Sequence, residues 1–351
     1  MADKSKIEWT DATWNPVRGC SRVSEGCRHC YAETIAKRFS GPGLAYEGLT
    51  TLGKWNGQIQ FVEKHLLDPL RMKEPKRIFV NSMSDLFHEN VTDEMLDRIF
   101  AVMALCPQHT FQILTKRPER MLVYLSDPAC QGRIALTMNT MPLRVIRMSI
   151  LEDGDTLMMP LRNVHLGVSV ESDKHRDRID TLLKTPAAVR FLSCEPLIAA
   201  VSLRWLCGWS KVHPRHLYPK PNTEGRVCTD EFDGLRELDW VICGGESGPG
   251  ARPMHPDWAR SLRDQCVDAG VPFFFKQWGE WTPGVNVTGT KGKVRGADWF
   301  DGKWLYSAED LAEDEGHIDD ERTVYRVGKK AAGDLLDGVQ WHQFPAVGVT
   351  A

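Results

Sequence analysis

The sequence predicts an α/β protein whose strands run parallel in a β/α barrel. Through the first 280 of its 351 residues, a short apolar run is followed by polar residues and then by a helical period, and this unit repeats. Strands that alternate with helices pair in parallel. Polar residues concentrate directly after the apolar runs, and in such a barrel the carboxyl ends of the strands form the active-site rim. We therefore expect a functional site at that rim.

The predicted strands are short apolar runs bounded by polar residues. They are Ile7–Trp14, Arg77–Asn81, Phe111–Leu114, Val164–Val170, Val189–Leu192, Trp240–Cys243 and Pro272–Phe275. A helical period follows the second run, since its apolar residues fall on one face. These residues are Met95, Leu96, Ile99, Phe100 and Met103.

The repeat predicts a barrel over residues 1–282, interrupted by two insertions at about 127–160 and 203–238. Segments of this kind usually serve as lids or substrate-reading loops. The periodicity stops after Trp281, so residues 283–351 are predicted to form a C-terminal extension that packs on the barrel. Within it, the acidic run Glu309–Glu321 is predicted to be a solvated surface segment.

The charge balance excludes a simple nucleic-acid coat or scaffold protein. With 44 basic and 47 acidic side chains the formal net charge is −3, which gives no overall positive field for holding nucleic acid. No stretch approaches the roughly 20 consecutive apolar residues of a membrane helix. The N-terminus lacks the apolar core of a signal peptide. We expect a cytoplasmic protein with reduced cysteines and no membrane partner.

Three of the ten cysteines are closely spaced near the N-terminus. Cys20, Cys27 and Cys30 follow the pattern C-x6-C-x2-C. Three thiolates leave one iron of a four-iron cluster open for a small molecule, whereas closed zinc sites and closed four-iron clusters take four ligands. The sequence therefore predicts an iron–sulfur cluster on these residues. The alternative is a zinc site completed by His29 or by a distant residue.

Polar residues after the predicted strands are candidates for cofactor binding. They are Ser82, Asp85, Lys116, Glu171, Glu195 and Glu246. The alternative is that the acids cap the following helices, which suits Asp85 or Glu171. Capping does not explain Lys116, because a cation is unfavourable at a helix N-terminus.

Two further groups are assigned by position. Cys194 and Cys243 end predicted strands and are candidate catalytic hydrogen-atom donors, with core packing as the alternative. Four tryptophans flank the predicted mouth of the barrel: Trp9, Trp14, Trp278 and Trp281. They would suit stacking on a flipped base of a nucleic-acid substrate, or they are core aromatic residues.

These motifs together resemble the phage and prophage three-Cys-motif proteins, a family of unknown function. The resemblance covers nearly the whole chain outside the two insertions. The matching blocks are Trp9–Pro16, the three cysteines with Tyr31–Glu33, Val80–Phe87, Leu114–Pro118, Gly167–Glu171, Arg190–Pro196, Gly244–Gly248 with Ala251–Pro253, Phe275–Gly279 and Val327–Gly333.

That family is similar to a divergent branch of the radical S-adenosylmethionine enzymes, for which spore photoproduct lyase is the usual comparison. The similarity implies a partial (β/α)6-type TIM-like barrel. It also implies a [4Fe–4S] cluster on the three cysteines, with S-adenosylmethionine bound to the unique iron. The usual spacing is C-x3-C-x2-C, so this chain has three extra residues. An aromatic residue commonly precedes the last cysteine and packs near the adenine; here Tyr31 follows Cys30 instead.

On this resemblance, Asp85 or Glu171 would bind ribose hydroxyls and Lys116 would bind a carboxylate or phosphate. The implied substrate is a nucleic acid or nucleotide, and a three-Cys-motif protein is an implied partner, with the electron donor unknown. Two other classes remain open. One is a zinc-stapled barrel that hydrolyses or binds a phosphorylated ligand, and the other is a non-catalytic phage interaction protein.

Overall fold

The computed structural model describes residues 5–141, 157–203, 206–207, 231–232, 234–287, 292–311 and 323–346. The chain forms two compact units. The first comprises Met1–Val168 with Thr181–Arg190, and the second comprises Ser169–Asp180 with Phe191–Ala351. Much of the two predicted insertions, at 142–156 and 208–230, lies outside the described residues.

Each of the seven predicted apolar runs overlaps a strand of one parallel sheet. The strands are β1 (Ala12–Trp14), β2 (Arg77–Val80), β3 (Thr110–Thr115), β4 (Val164–Ser169), β5 (Val189–Cys194), β6 (Trp240–Gly244) and β7 (Phe273–Gln277). Their order in the sheet is their order in the chain. This confirms the predicted α/β class with a parallel sheet, and it is compatible with a partial TIM-like fold.

Helices lie between most of these strands. They are α1 (Tyr31–Arg38), α2 (Glu63–Leu66), α3 (Asp93–Ala104), α4 (Pro118–Ser126), α5 (Cys130–Thr140), α6 (Asp177–Lys184), α7 (Pro256–Ala269) and α8 (Lys329–Ala332). Single 3-10 turns occur at Glu25–Cys27, Pro69–Arg71, Asp173–His175, Gly234–Glu237 and Gly284–Asn286. None of the helices in the described ranges is long and apolar enough to cross a membrane.

In the first unit, α3 follows β2 as the sequence predicts. Thr92 caps its first turn by accepting a hydrogen bond from the Met95 N–H at 3.3 Å. Leu96, Ile99, Phe100 and Met103 of its apolar face are buried while Met95 is partly exposed, and each large buried side chain contributes about 1.5–3 kcal/mol. Helix α5 lies within the first predicted insertion but packs on α3, because Arg133 pairs with Asp97 at 3.1 Å. That part of the segment is a layer of the unit.

In the second unit, α7 follows β6 and has clear ends. His255 precedes it, with Nδ1 accepting from the Asp257 N–H at 3.2 Å, and Pro256 occupies its first position. The helix ends at Gly270, whose φ of +72° is the left-handed conformation in which glycine carries little strain.

The predicted C-terminal extension contains a second sheet in the same unit. Its strands are β8 (Trp281–Pro283), β9 (Gly292–Phe300), β10 (Lys303–Leu311) and β11 (Thr323–Arg326), in the order β8-β11-β9-β10. Trp299 and Trp304 stand opposite each other on β9 and β10 and pack edge-to-face on Trp258 of α7. The predicted acidic surface segment begins inside β10, and its residues 312–321 lie outside the described ones.

Short strand pairs and a C-terminal tail complete the described structure. The pairs are Val17–Arg18 with Gln60–Phe61, Thr50–Thr51 with Lys54–Trp55, Leu206–Cys207 with Glu231–Phe232, and Leu335–Leu336 with Val339–Gln340. The tail runs along β7: the Phe275 N–H donates to Trp341 O at 2.7 Å, and the rings of Phe274 and His342 stack at 4.4 Å. This contact covers a strand edge that would otherwise recruit other strands.

Candidate functional site

The cysteine loop, residues 15–30, follows β1 and lies against the loop that follows β2. Asn15 Oδ1 accepts hydrogen bonds from Ser82 Oγ at 3.1 Å and from the Met83 N–H at 3.0 Å. Ser84 Oγ donates to Val17 O at 3.0 Å. These contacts join the carboxyl ends of two neighbouring parallel strands, which is the edge where the sequence predicts a site.

Gly19 allows the chain to enter the cysteine loop. Its φ is +91°, a conformation that other residues rarely adopt. A Cβ at this position would lie 2.2 Å from Gln58 O. Next to it, Cys20 O accepts from the Gly57 N–H at 3.1 Å. A side chain at residue 19 would therefore displace Cys20 from the segment that holds it.

Cys30 directly precedes α1 and occupies its N-cap position. Burial raises the pKa of its thiol, while the backbone N–H groups of Ala32 and Glu33 and the Trp55 side chain act in the opposite direction. The N–H groups of a first helical turn carry partial positive charge, which favours a thiolate. Cys30 is thus placed to become a thiolate once a metal offsets the cost of burial.

The three thiols lie within electrostatic reach of one another. Burial, with the charges of Asp85 and Cys30, raises the pKa of Cys20 to about 12. Cys27 has a smaller effect of the same sign on Cys30. Cys20 and Cys30 therefore keep their protons at neutral pH until a cation replaces them, which is the usual linkage between metal binding and proton release.

The donor set suits a soft metal group. Thiolates favour zinc, copper(I) and iron–sulfur clusters. In the part of the chain that the structure describes, no three His, Cys, Asp or Glu side chains are grouped so as to hold a single metal ion. The three thiolates of a cluster bind three different irons and need not converge on one point. The donor types of Cys20, Cys27 and Cys30 suit such a cluster, and its binding here stays a prediction.

A buried arginine, Arg117, links the cysteine loop to the loop after β2. Its Nη2 donates to Ser21 O at 3.1 Å and to Ser21 Oγ at 2.7 Å. Its Nη1 donates to Asp85 Oδ2 at 3.1 Å and lies 4.0 Å from Cys20 Sγ. Its Nε donates to Glu89 Oε2 at 3.0 Å. The guanidinium is only 9% exposed, so these contacts fix its orientation.

Asp85 orients this arginine. Its Oδ1 accepts from Thr115 Oγ1 at 2.7 Å and from the Phe87 N–H at 3.0 Å. Its Oδ2 accepts from the Lys116 N–H at 3.0 Å as well as from Arg117. A carboxylate has about four lone-pair sites. All of them are engaged here, so the side chain positions Arg117, and the predicted contact of Asp85 with a ribose hydroxyl stays a prediction.

Ser21 and His88 complete the network without forming a nucleophile pair. The Asn90 N–H donates to His88 Nδ1 at 3.2 Å, so Nε2 carries the hydrogen and faces Ser21 Oγ at 3.0 Å. Ser21 Oγ in turn donates to Glu89 Oε1 at 3.1 Å. A serine nucleophile needs a histidine that accepts its proton. Here the histidine is the donor, and burial, with Arg117, lowers its pKa.

A second arginine, Arg22, lies within electrostatic reach of the other two thiols, Cys27 and Cys30. Its Nε donates to Glu33 Oε1 at 3.1 Å, and the same oxygen accepts from the Trp55 N–H at 2.9 Å. The hydrogen bond to Glu33 raises the pKa of Arg22, and the charges of Cys27 and Cys30 add to it. The buried Glu33 carboxylate therefore holds a cation near these cysteines.

The other predicted cofactor-binding residues of the first unit lie at the same edge. Tyr31 follows Cys30 and donates its hydroxyl to Ser82 O at 2.6 Å, while half of its side chain is exposed. Lys116 directly follows β3, next to Arg117. The structure thus places Tyr31, Ser82 and Lys116 in one unit with the three cysteines.

The remaining predicted acids belong to the second unit, and each has a cation of its own. Glu171 is fully buried and pairs with Arg178 at 2.9 Å. Glu246 pairs with Arg252 through both oxygens, the closer contact being 2.7 Å. These are ion pairs internal to the unit. The acids neutralise the buried Arg178 and the partly exposed Arg252, and the predicted ribose contact of Glu171 stays a prediction.

Glu195 and Lys276 form a third pair, after β5 and within β7, at 2.6 Å. Gly244 lies beside it, since a Cβ there would be 3.4 Å from Glu195 Cδ. Gln277 Nε2 donates to Ser247 Oγ at 3.0 Å in the same region. The strand-end position predicted for Glu195 is confirmed, and its charge is compensated by the neighbouring lysine.

Cys194 and Cys243 are fully buried partners in the register of β5 and β6. Burial raises the pKa of both thiols, and Cys266 of α7 contributes to both shifts. A hydrogen-atom donor must reach its substrate, and neither thiol has exposed surface. The packing alternative accounts for both residues.

The four tryptophans assigned to the barrel mouth are core residues. All are at most 3% exposed. The indole N–H of Trp14 donates to His65 O at 2.7 Å, that of Trp278 to Leu335 O at 2.7 Å, and that of Trp281 to Ala251 O at 2.9 Å. The base-stacking interpretation is therefore wrong, because no ring face is open to a ligand.

The sequence prediction missed four residues of the arginine network: Ser21, His88, Glu89 and Arg117. One signal was available. Arg117 immediately precedes Pro118 at the start of α4, where a cation opposes the helix dipole. The unfavourable position of a cation at a helix N-terminus singles out Lys116 and applies equally to Arg117.

Comparison with known proteins gives a family and no activity. The family model described as "Protein of unknown function (DUF5131)" matches residues 4–345, which span both units. Nothing among curated proteins and nothing among solved structures matches the chain. The phage origin and the relationship to radical S-adenosylmethionine enzymes stay predictions. The chain belongs to the DUF5131 family, whose function is unknown.

Proposed function

We propose that the chain binds a [4Fe–4S] cluster through Cys20, Cys27 and Cys30 and uses it to cleave S-adenosylmethionine. One observation carries the proposal: two arginines, each held by a carboxylate, lie near the three thiols of the cysteine loop. Arg117 lies 4.0 Å from Cys20 Sγ, and Arg22 interacts with the charges of Cys27 and Cys30. A site that only packed cysteines would need neither cation.

The charge balance supports a cluster on these three residues. A cluster bound by thiolates is anionic, and its potential depends on nearby charge, hydrogen bonds to sulfur and solvent access. Arg22 and Arg117 supply positive charge, and the amides at the start of α1 face Cys30. With three protein ligands, one iron stays open for a small molecule.

A cluster held by Cys20, Cys27 and Cys30 would supply the one electron that cleavage of the S–C5′ bond of S-adenosylmethionine requires. The chain's residues bind and orient. Tyr31, half exposed beside Cys30, offers an aromatic face to the adenine. Lys116 offers a cation at the same edge to a carboxylate or phosphate.

We extend the proposal to a nucleic-acid or nucleotide substrate, on the resemblance to spore photoproduct lyase. The four tryptophans are buried, so base stacking on them is not part of this extension. The implied three-Cys-motif partner protein and the electron donor belong to the same extension.

The test begins with the full-length chain, reconstituted anaerobically with iron and sulfide, and analysed for iron, sulfide and zinc. We expect four irons and four sulfides per chain. Reduction in the presence of S-adenosylmethionine should then yield 5′-deoxyadenosine. Cys30→Ala should yield none, and Cys106→Ala, which changes a buried cysteine of the same unit, should behave as the unaltered protein.

Two results would overturn the proposal at different steps. Stoichiometric zinc without sulfide would favour the zinc-stapled alternative. A loaded cluster that gives no 5′-deoxyadenosine above the Cys30→Ala background would leave a cluster protein that does not cleave S-adenosylmethionine.

A further inference from the structure

We propose that Arg117 tunes the reduction potential of the cluster by directing its guanidinium at Cys20. The inference rests on the proposed function and deepens it. Arg117 acts through the Cys20 sulfur, so it is a positioning residue, and its effect should appear in a potential before it appears in a rate.

The orientation of Arg117 carries the argument. An arginine has five N–H groups in a fixed planar fork. Here the fork is held by Asp85 on Nη1, Glu89 on Nε and Ser21 on Nη2. With these contacts made, Nη1 also reaches to 4.0 Å of Cys20 Sγ. An arginine serving only as a structural ion pair would need one carboxylate and no approach to sulfur.

The carboxylates that hold this fork are themselves fixed. Asp85 is held by Thr115, Phe87 and Lys116, as described above. Glu89 is more exposed, at 61% of its side chain, and accepts from Ser21 Oγ at 3.1 Å. Arg117 therefore cannot swing away from Cys20 without breaking several hydrogen bonds at once.

The sign of the effect follows from electrostatics. Reduction adds one negative charge to the cluster, so a nearby cation and an N–H directed at a ligating sulfur favour the reduced state. Little water screens the interaction, because both Arg117 and Asp85 are nearly buried. Arg117 should raise the potential, and Glu89, an anion on the same fork, should lower it.

The experiment is a potentiometric titration of full-length, reconstituted protein, with iron and sulfide measured in every sample. We expect Arg117→Met to shift the one-electron equilibrium toward the oxidised cluster by at least tenfold, and each factor of ten is about 59 mV. Arg117→Lys, which keeps the charge and loses the fork, should recover part of the shift.

Two further variants test the direction of the potential shift and provide a control. Glu89→Gln leaves Cys20 untouched and should shift the equilibrium in the opposite direction, toward the reduced cluster. Arg120→Met, three residues further along the chain in α4, is the matched control, because Arg120 pairs with Asp93. It should leave the potential unchanged.

The outcomes separate this inference from the proposed function. If the unaltered chain binds no cluster, the metal analysis overturns both before any potential is measured. If the cluster forms and Arg117→Met has the same potential as Arg120→Met, the inference alone is overturned. If Arg117→Met does not fold or load, Glu89→Gln decides: a shift toward the reduced cluster supports the inference, and an unchanged potential overturns it.

Discussion

The cysteine loop of the first unit and the strand ends of the second unit compensate their buried charges in different ways. In the second unit, Glu171, Glu195 and Glu246 each pair with one arginine or lysine of that unit. In the first unit, one arginine is shared by Asp85, Glu89 and Ser21 and still reaches a thiol.

This difference shows which region is complete without a ligand. A closed pair of one acid and one base satisfies both charges, and such pairs mainly fix local structure. The cysteine loop instead gathers cations and helix amides around thiols that burial keeps protonated. That arrangement becomes favourable when a metal group replaces the protons. This is why we propose the cluster for the first unit rather than for the second.

The largest expected effect comes from exchanging one sulfur in each unit. Cys27→Ser should reduce the iron bound after reconstitution to background, because a serine oxygen is a poor ligand for a soft iron–sulfur group. Cys266→Ser, in the buried cysteine layer of the second unit, should retain the full iron content. Iron and sulfide analysis with visible absorbance measures both. Equal iron in the two proteins would contradict the comparison.

The next effect concerns stability without metal. Asp85→Asn leaves the nearly buried Arg117 without its main counter-charge and should lower the free energy of unfolding by about 3–5 kcal/mol. Glu195→Gln removes a carboxylate that is 20% exposed, against 9% for Asp85, and should cost less. Urea denaturation of the two variants tests the ranking. A larger loss for Glu195→Gln would show that the second unit holds the more critical pair.

Acid should destabilise the first unit through His165, on β4. Burial lowers the pKa of His165 to about 4, and neither ring nitrogen has a hydrogen-bond partner in the described structure. The unfolded chain takes up this proton near pH 6.5. Stability is therefore complete above pH 6.5 and falls as the pH drops toward 4, by about 3 kcal/mol at the lower limit.

The measurement is urea unfolding at pH 7 and pH 4.5 for the unaltered protein and for His165→Leu. The variant should lose less stability between the two values. His255, which caps α7 in the second unit, has a pKa that burial lowers with partial compensation from Asp257. His255→Asn should change the pH dependence less. Identical pH dependence in the unaltered protein and His165→Leu would contradict the assignment.

The smallest effects are expected at helix ends, one in each unit. Thr92→Ala removes the side-chain cap of α3 and should cost about 1 kcal/mol. Gly270→Ala places a side chain at φ +72° after α7 and should cost a similar amount, about 1 kcal/mol. Thermal unfolding of each variant measures the loss. No change at Gly270 would show that the end of α7 adjusts without strain.

Much of the main sheet could be predicted from the sequence, because buried parallel strands are continuous apolar runs. Phe273–Gln277 and Trp240–Gly244 are examples, each within a residue or two of its prediction. The hairpin of β9 and β10 was missed because its residues alternate between exposed and half-buried positions and include many charges. Its aromatic contacts with Trp258 depend on a helix far away in the chain.

The candidate site was predictable only in part. The cysteine spacing and the strand-end positions of Asp85 and Lys116 can be read from the chain. The contact between Arg117 and Cys20 cannot, since it joins residues 97 positions apart and depends on how two loops meet. Likewise, the position of an acid at a strand end does not show which basic side chain it pairs with. Glu171 and Glu246 were therefore assigned to a ligand although arginines already neutralise them.

The tail that runs along β7 sets a limit on how the protein can be shortened for biophysical work. A chain cut before Trp341 would lose the acceptor of the Phe275 N–H and would uncover the ring of Phe274. Open strand edges with aromatic groups tend to join other chains. Such a product would self-associate, and its turbidity would be mistaken for instability of the proposed metal centre. Recombinant boundaries therefore belong beyond Phe344, with affinity tags placed further out.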